Sequence, residues 1–182
     1  MLDPKAPRFA DIPMLAPIAA FACDVSWGFL LKFVAQQKDE EGLDIDPDFQ
    51  RGHVWTAEQQ VRFVEFMLRG GDTARVLYFN CISWDSLSAP RGPYVLVDGK
   101  QRLAAATAFL RNELRAFGHL FRDFQDRLRL GHPSFRWHVC ALPSRAAVLR
   151  WYLDLNDGGV VHTSAELDRV RRLLREETDG QA

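Results

Sequence analysis

Apolar residues along the chain repeat with two different periods, and the changes of period fall at capping residues, glycines and prolines. From Ser26 the spacing is helical: Trp27, Leu30, Leu31 and Val34 share a face, and Gly42 closes the run. Residues 43–46, LDID, predict a short strand ended by Pro47, and PDFQRGHVW predicts a loop. Thr56 and Gln59 have the spacing of a capping box, so a helix opens there; Val61, Val64 and Leu68 form its inner stripe, and Gly70-Gly71 stop it near Arg69. The runs RVLYFNC, 75–81, and YVLV, 94–97, predict buried strands. LAAATAFL is apolar on nearly every side, which predicts a helix buried all round. The stretch HLFRDFQDRLRLGHPS predicts a short helix and a loop. In SFRWHVCAL the residues Phe135, Trp137, Val139 and Ala141 alternate with others, the pattern of a half-buried strand. Val148, Trp151, Tyr152 and Leu155 then mark a helix ended by Asp157-Gly158-Gly159. Thr163 and Glu166 predict a second capping box, opening a helix with Leu167, Val170 and Leu174 inside.

Short strands interleaved with helices predict an α/β (mixed α+β) domain, a small mixed β-sheet surrounded by helices. Residues 1–24, interrupted by Pro4, Pro7, Pro13 and Pro17, are expected to form an extended lead-in on the surface; 25–177 form the single domain and 178–182 a frayed tail. A chain of 182 residues can bury a core without disulfides or metals.

Charge and cysteine usage narrow the function classes. The formal net charge of −1 carries no global footprint for nucleic acid, although a local basic groove remains open. Cys23, Cys81 and Cys140 lie far apart with no CxxC pair, so reduced thiols in a cytoplasmic protein are expected rather than a zinc site. No apolar run spans a bilayer and the N-terminus lacks the basic start of a signal peptide. The five histidines show no metal-ligand spacing, and neither GxxxxGK[ST] nor GxGxxG occurs.

The chemistry concentrates at Asp98-Gly99-Lys100-Gln101-Arg102, between a strand and a helix. A strand running into a helix gathers free backbone N–H groups and the positive end of the helix dipole at one spot. Lys100 and Arg102 add two cations, and Gly99 permits a tight turn and the close approach of a ligand, so the joint is a candidate phosphate site. Asp98 can cap the helix, hold Arg102, bind a metal or accept a proton from water. Asp-Gly is also a common turn, and the pentapeptide alone is a weak signal. A second amide–arginine pair, Gln50-Arg51, precedes another capped helix; the plain alternative for Arg51 is a surface ion pair with an acid such as Asp48. His53 is expected to be solvated rather than to face a ligand, and the arginines of the last helix, Arg171, Arg172 and Arg175, to form a salt-bridged face with Asp168, Glu176 and Glu177. Trp84 can stack on a base or cover the core.

Taken in order, DPDFQRGHVW, a helix ending LRGG, a strand, VLVDGKQRL, and LDLNDGG before a capped helix resemble domain-of-unknown-function family 262, which includes the N-terminal domains of the GmrSD type IV restriction enzymes and belongs to the ParB/sulfiredoxin-like superfamily. The resemblance spans roughly residues 25–175. It implies a nucleotide site around a motif that usually reads Asp-Gly-Gln-Gln-Arg, linked to nucleoside triphosphate hydrolysis in anti-phage defence. Asp98, Gly99, Gln101 and Arg102 match that motif and Lys100 replaces a Gln; Phe49, Gln50, Arg51 and Trp55 match the first motif; Asn156, Gly158 and Gly159 match the late one. The roles so implied are Asp98, Arg102 and Arg51 as catalytic, with Asp98 on Mg2+ if that ion is used, and Gln50, Gly99, Lys100, Gln101 and Asn156 as nucleotide-binding. DNA is the implied partner, directly or through another subunit, in a bacterial or phage-encoded protein. The chain departs from the family after the second helix, where GGDTARVLYF replaces an Ile-Pro-rich stretch. The second, nuclease domain of the large defence enzymes is not expected in 182 residues, and sulfiredoxin chemistry is disfavoured because Asp98–Arg102 contains no cysteine. The alternatives to a triphosphatase are a ParB-like DNA nuclease using the same pocket and a non-catalytic nucleotide-sensing module.

Overall fold

The computed structural model describes residues 19–82, 84, 92–128, 132–156 and 164–179. Its elements run β1 (Phe21–Ser26), α1 (Trp27–Glu41), β2 (Leu43–Asp44), α2 (Ala57–Leu68), β3 (Val76–Cys81), β4 (Tyr94–Asp98), α3 (Lys100–Leu110), a 3-10 turn (Phe121–Asp123), β5 (Ser134–Cys140), α4 (Arg145–Asn156) and α5 (Ser164–Asp179). The five strands form one mixed sheet in the order β1-β5-β3-β4-β2. β5 and β3 are parallel, β3 and β4 antiparallel, and β4 and β2 parallel. The fold is the mixed α/β arrangement that the interleaved pattern predicts.

Because side chains alternate across a strand, the sheet feeds two cores. Leu77, Phe79 and Leu96 point to one face, where α1, α2 and α3 bring Trp27, Leu30, Val64, Met67, Leu103 and Phe109. Tyr78, Val95 and Val97 point to the other, against Leu149, Trp151 and Tyr152 of α4 and Val170 of α5. In the first core Phe79 stacks on Trp137 at 3.8 Å, and the Trp137 indole donates to the Tyr94 hydroxyl at 2.6 Å, so this buried ring leaves no orphan donor.

The local signals hold where they are short-range. Thr56 and Gln59 form the reciprocal capping box, and Gly42 ends α1 in the left-handed region at φ 68°. Three features differ from expectation. Residues 21–24, read as the end of a lead-in, belong with Val25 and Ser26 to an edge strand paired antiparallel to β5, with Cys23 opposite Trp137. The strand 134–140 keeps the predicted alternation at Phe135, Trp137 and Val139, which are fully buried, with Arg136 and His138 half-buried between them, but it ends at Cys140, so Ala141 is exposed beyond it. The helix expected to be buried all round is not: Leu103, Ala105, Ala106, Phe109 and Leu110 are buried, whereas Ala104, Thr107 and Ala108 are half-exposed beside α1. Thr163, on which the second capping box depends, and the glycines Gly158 and Gly159 lie outside the described residues, as do most of the lead-in and the end of the tail.

Candidate functional site

The segment between β2 and α2 is held at alternate points. Phe49 is buried in the second core, edge-on to Tyr152 at 5.3 Å. Gln50 is also buried, and its Nε2 donates to the Leu96 carbonyl of β4 at 2.5 Å. Trp55 packs on Phe63 at 5.4 Å at the edge of the first core. With its neighbours so anchored, Arg51 stands at the mouth between β4 and α3.

The strand-to-helix joint supplies the facing wall. Gly99 is the N-cap of α3 at φ 108°, without a side-chain cap. A Cβ there would come within 2.3 Å of Leu77 Cδ2, so glycine is required both by conformation and by space. The next three side chains each take a separate anchor. Lys100 Nζ pairs with Asp46 and donates to the Arg51 carbonyl at 2.8 Å. Gln101 is a clamp: its Oε1 accepts from the Val54 and Trp55 amides at 3.1 and 3.3 Å, and its Nε2 donates to the Gly52 carbonyl at 3.0 Å. Arg102 donates to the Ala74 and Val76 carbonyls at 3.0 and 2.7 Å and to Asp98 Oδ2 at 2.6 Å. At the far end of α4, the Asn156 amide donates to the Tyr152 carbonyl at 2.6 Å.

These residues enclose a cavity of about 310 Å³. Gln50, Arg51, Asp98, Gly99, Lys100, Gln101, Arg102 and Asn156 all line it, so every candidate from the three separate sequence segments converges on one place. Val97, Trp55 and Tyr152 complete the lining. The sequence marks Trp55 within the first motif; Tyr152 shows there only as part of an apolar helical stripe, and Val97 only as a strand residue. The cavity lining carries three cations, Arg51, Lys100 and Arg102, and one carboxylate, Asp98, at the N-terminus of an eleven-residue helix, while a second carboxylate, Asp46, pairs with Lys100 from outside the lining. Such a wall attracts anions, and its hydrogen-bond donors suit phosphate oxygens. Arg102 uses three of the five N–H donors of a guanidinium, and Lys100 two of the three of an ammonium, so both retain donors for a ligand.

The rest of the surface is arranged differently. Asp48, the plain partner considered for Arg51, pairs instead with Arg145 at 2.8 Å. Arg171 pairs with Asp168 at 2.9 Å, in keeping with a salt-bridged face on α5. Trp84 stacks on Phe21 at 5.4 Å and meets Tyr94 edge-on at 5.6 Å, which covers one end of the core. A larger cavity of about 720 Å³ lies between Leu68, Phe109, Phe117 and Phe124 and contains none of the predicted catalytic or nucleotide-binding residues. Its size alone does not make it the site: beside Arg69, Asp126, Arg127 and His132 it is lined by four phenylalanines and two leucines, and the predicted site residues converge on the smaller cavity. Cys23, Cys81 and Cys140 form no disulfide; Cys81 and Cys140 are buried and Cys23 is half-buried. Among the described residues no group of three His, Cys, Asp or Glu side chains is placed to hold a metal ion, and no helix is long and apolar enough to cross a membrane.

Comparison with curated proteins and with solved structures gives no match. The profile of the GmrSD restriction endonuclease N-terminal domain matches residues 30–173, which takes in all five helices in whole or in part, four of the five strands and every residue of the cavity wall. The chain belongs to the family of the GmrSD restriction endonuclease N-terminal domain.

Proposed function

We propose that the chain binds a nucleoside triphosphate by its phosphates in the cavity between Arg51 and Arg102 and hydrolyses it, as the nucleotide-responsive part of a DNA-restriction system. The observation that carries this reading is the convergence of Gln50, Arg51, Asp98, Gly99, Lys100, Gln101, Arg102 and Asn156 on one cationic cavity at a helix N-terminus. On the same ground we assign the domain to the ParB/sulfiredoxin-like superfamily that its motifs resemble.

The residues divide the work. Lys100, Arg102 and the first-turn amides of α3 hold phosphate oxygens, and the Gln101 clamp keeps the 52–55 segment, and with it Arg51, at the opposite wall. Water attacks the terminal phosphorus, the bond to the bridging oxygen breaks, and nucleoside diphosphate and phosphate leave. Charge on the transferred group is met by Arg51. Asp98, held by Arg102, orients the water and accepts its proton. A divalent cation, where one accompanies the nucleotide, fits a wall with a single carboxylate: Asp98 would hold it together with the phosphates, and it would supply charge neutralisation. With a net charge of −1, contact with DNA is made by a local patch or through a partner subunit.

One observation favours a second reading, binding without turnover. Lys100, Gln101 and Arg102 are all tied to the backbone of neighbouring segments, so an occupied cavity would act on loop position as directly as on chemistry. Thermal unfolding with nucleoside triphosphates, with and without Mg2+, followed by phosphate release, separates the two. Stabilisation with release that falls about 100-fold in Asp98→Asn and in Arg51→Ala supports hydrolysis. Stabilisation without release supports sensing, and no stabilisation by any triphosphate overturns both.

A further inference from the structure

A second cavity, about 530 Å³, runs between α1 and α3 and shares Lys100 with the first. On α3 it is lined by Lys100, Leu103, Ala104, Thr107 and Ala108, spaced as one helical face, and on α1 by Leu31, Val34 and Ala35 at the same spacing. This is the face that keeps α3 from being buried all round. Leucine, valine, isoleucine and alanine side chains give it apolar surface, and Lys38, Asp39, His53, Thr107, Arg111 and Glu113 add polar and charged groups.

Lys100 is the seam. Its ammonium pairs with Asp46, which lines the second cavity, and donates to the carbonyl of Arg51, which lines the first. The intervening segment divides in the same way, with Gln50 and Arg51 on the first cavity and His53 on the second. The first cavity, at about 310 Å³, sits at the bottom of the range for small-molecule sites, about 300–1,000 Å³, and the two together fall well inside it. A flat ring with apolar faces and a polar edge matches a slot of this composition, and a phosphate chain matches the cationic wall beside it.

We infer that the α1–α3 groove holds the nucleoside of the same ligand whose phosphates occupy the Arg51–Arg102 cavity, with Lys100 bridging the two parts. The inference rests on the phosphate reading above and adds to it the subsite that selects the base. A partner helix is the rival occupant of such a groove.

The test uses the full chain and two titrants, inorganic tripolyphosphate and the nucleoside triphosphate that stabilises it best, read by calorimetry. Ala35→Phe fills the slot from the exposed wall of α1, and Ala104→Phe from the half-exposed wall of α3. Both variants are first shown to unfold cooperatively, and Ala35→Phe, at an exposed position, serves if Ala104→Phe does not fold. The expected result is triphosphate binding weakened by about tenfold or more, with tripolyphosphate binding unchanged. Variants that bind the nucleoside triphosphate as the parent does overturn the subsite and leave the phosphate reading standing; a parent that binds no tripolyphosphate overturns the phosphate reading and the subsite with it.

Discussion

Arg102 and Asp98 stand four residues apart across the Gly99 turn, and their ion pair closes at 2.6 Å while the same guanidinium holds two carbonyls ahead of and within β3. The Arg102 side chain is only 17% exposed, so these bonds are made largely out of water and Arg102 is a brace as well as a cavity residue.

Removing that brace is therefore expected to weaken the fold. Arg102→Ala leaves the Ala74 and Val76 carbonyls and the Asp98 carboxylate without their donor. The expected loss is about 2–3 kcal/mol, moderated by the partial exposure of Asp98. Urea denaturation measures it. Stability equal to the parent, with nucleotide binding gone, would assign Arg102 to the ligand alone.

Gly99 answers a different question, because both its conformation and its space are constrained. Gly99→Ala carries backbone strain at φ 108° and drives a methyl against Cδ2 of the fully buried Leu77. We expect a loss of about 2–4 kcal/mol. Gly42→Ala, at φ 68° with nothing within 4 Å, is the control and loses about 1–2 kcal/mol from strain alone. Equal losses at the two positions would show that the Leu77 contact contributes nothing.

His138 supplies a dependence on pH. Burial, and secondarily the charge of Arg136, lowers its pKa below the ordinary value, so the folded state disfavours the imidazolium. In the window between the two values the unfolded chain binds more protons than the folded one, and stability falls as pH drops. The decline starts as pH passes downward through about 6.5 and levels off below the folded-state value. His138→Phe keeps a ring against Tyr78, now 5.1 Å from the imidazole, and should remove this component. Denaturation midpoints between pH 8 and pH 5, compared for parent and variant, test it; parallel curves would exclude His138 as the source.

The fold and the site were legible to different depths. Caps, glycine stops and apolar periods act over three or four residues, so Thr56 with Gln59, Gly42, and the strand-to-helix joint at Gly99 could be placed from neighbours alone. The edge strand Phe21–Ser26 could not, because what makes it a strand is pairing with β5 more than a hundred positions later, as in Arg136 with Asp24 across 112. The openness of α3 was hidden for a related reason: apolar residues on all its faces do not say which face a neighbour leaves uncovered.

By itself the sequence determined which residue types would stand at the helix mouths, an acid, a glycine, a lysine, two amides and two arginines, since local propensity and capping chemistry decide that. Only the tertiary structure decided that the two mouths face one cavity, with Gln101 reaching Gly52 across 49 positions and Lys100 reaching Asp46 across 54. Contacts at that separation follow from the order of strands in the sheet, and that order is set by how whole faces bury, a property of no short segment.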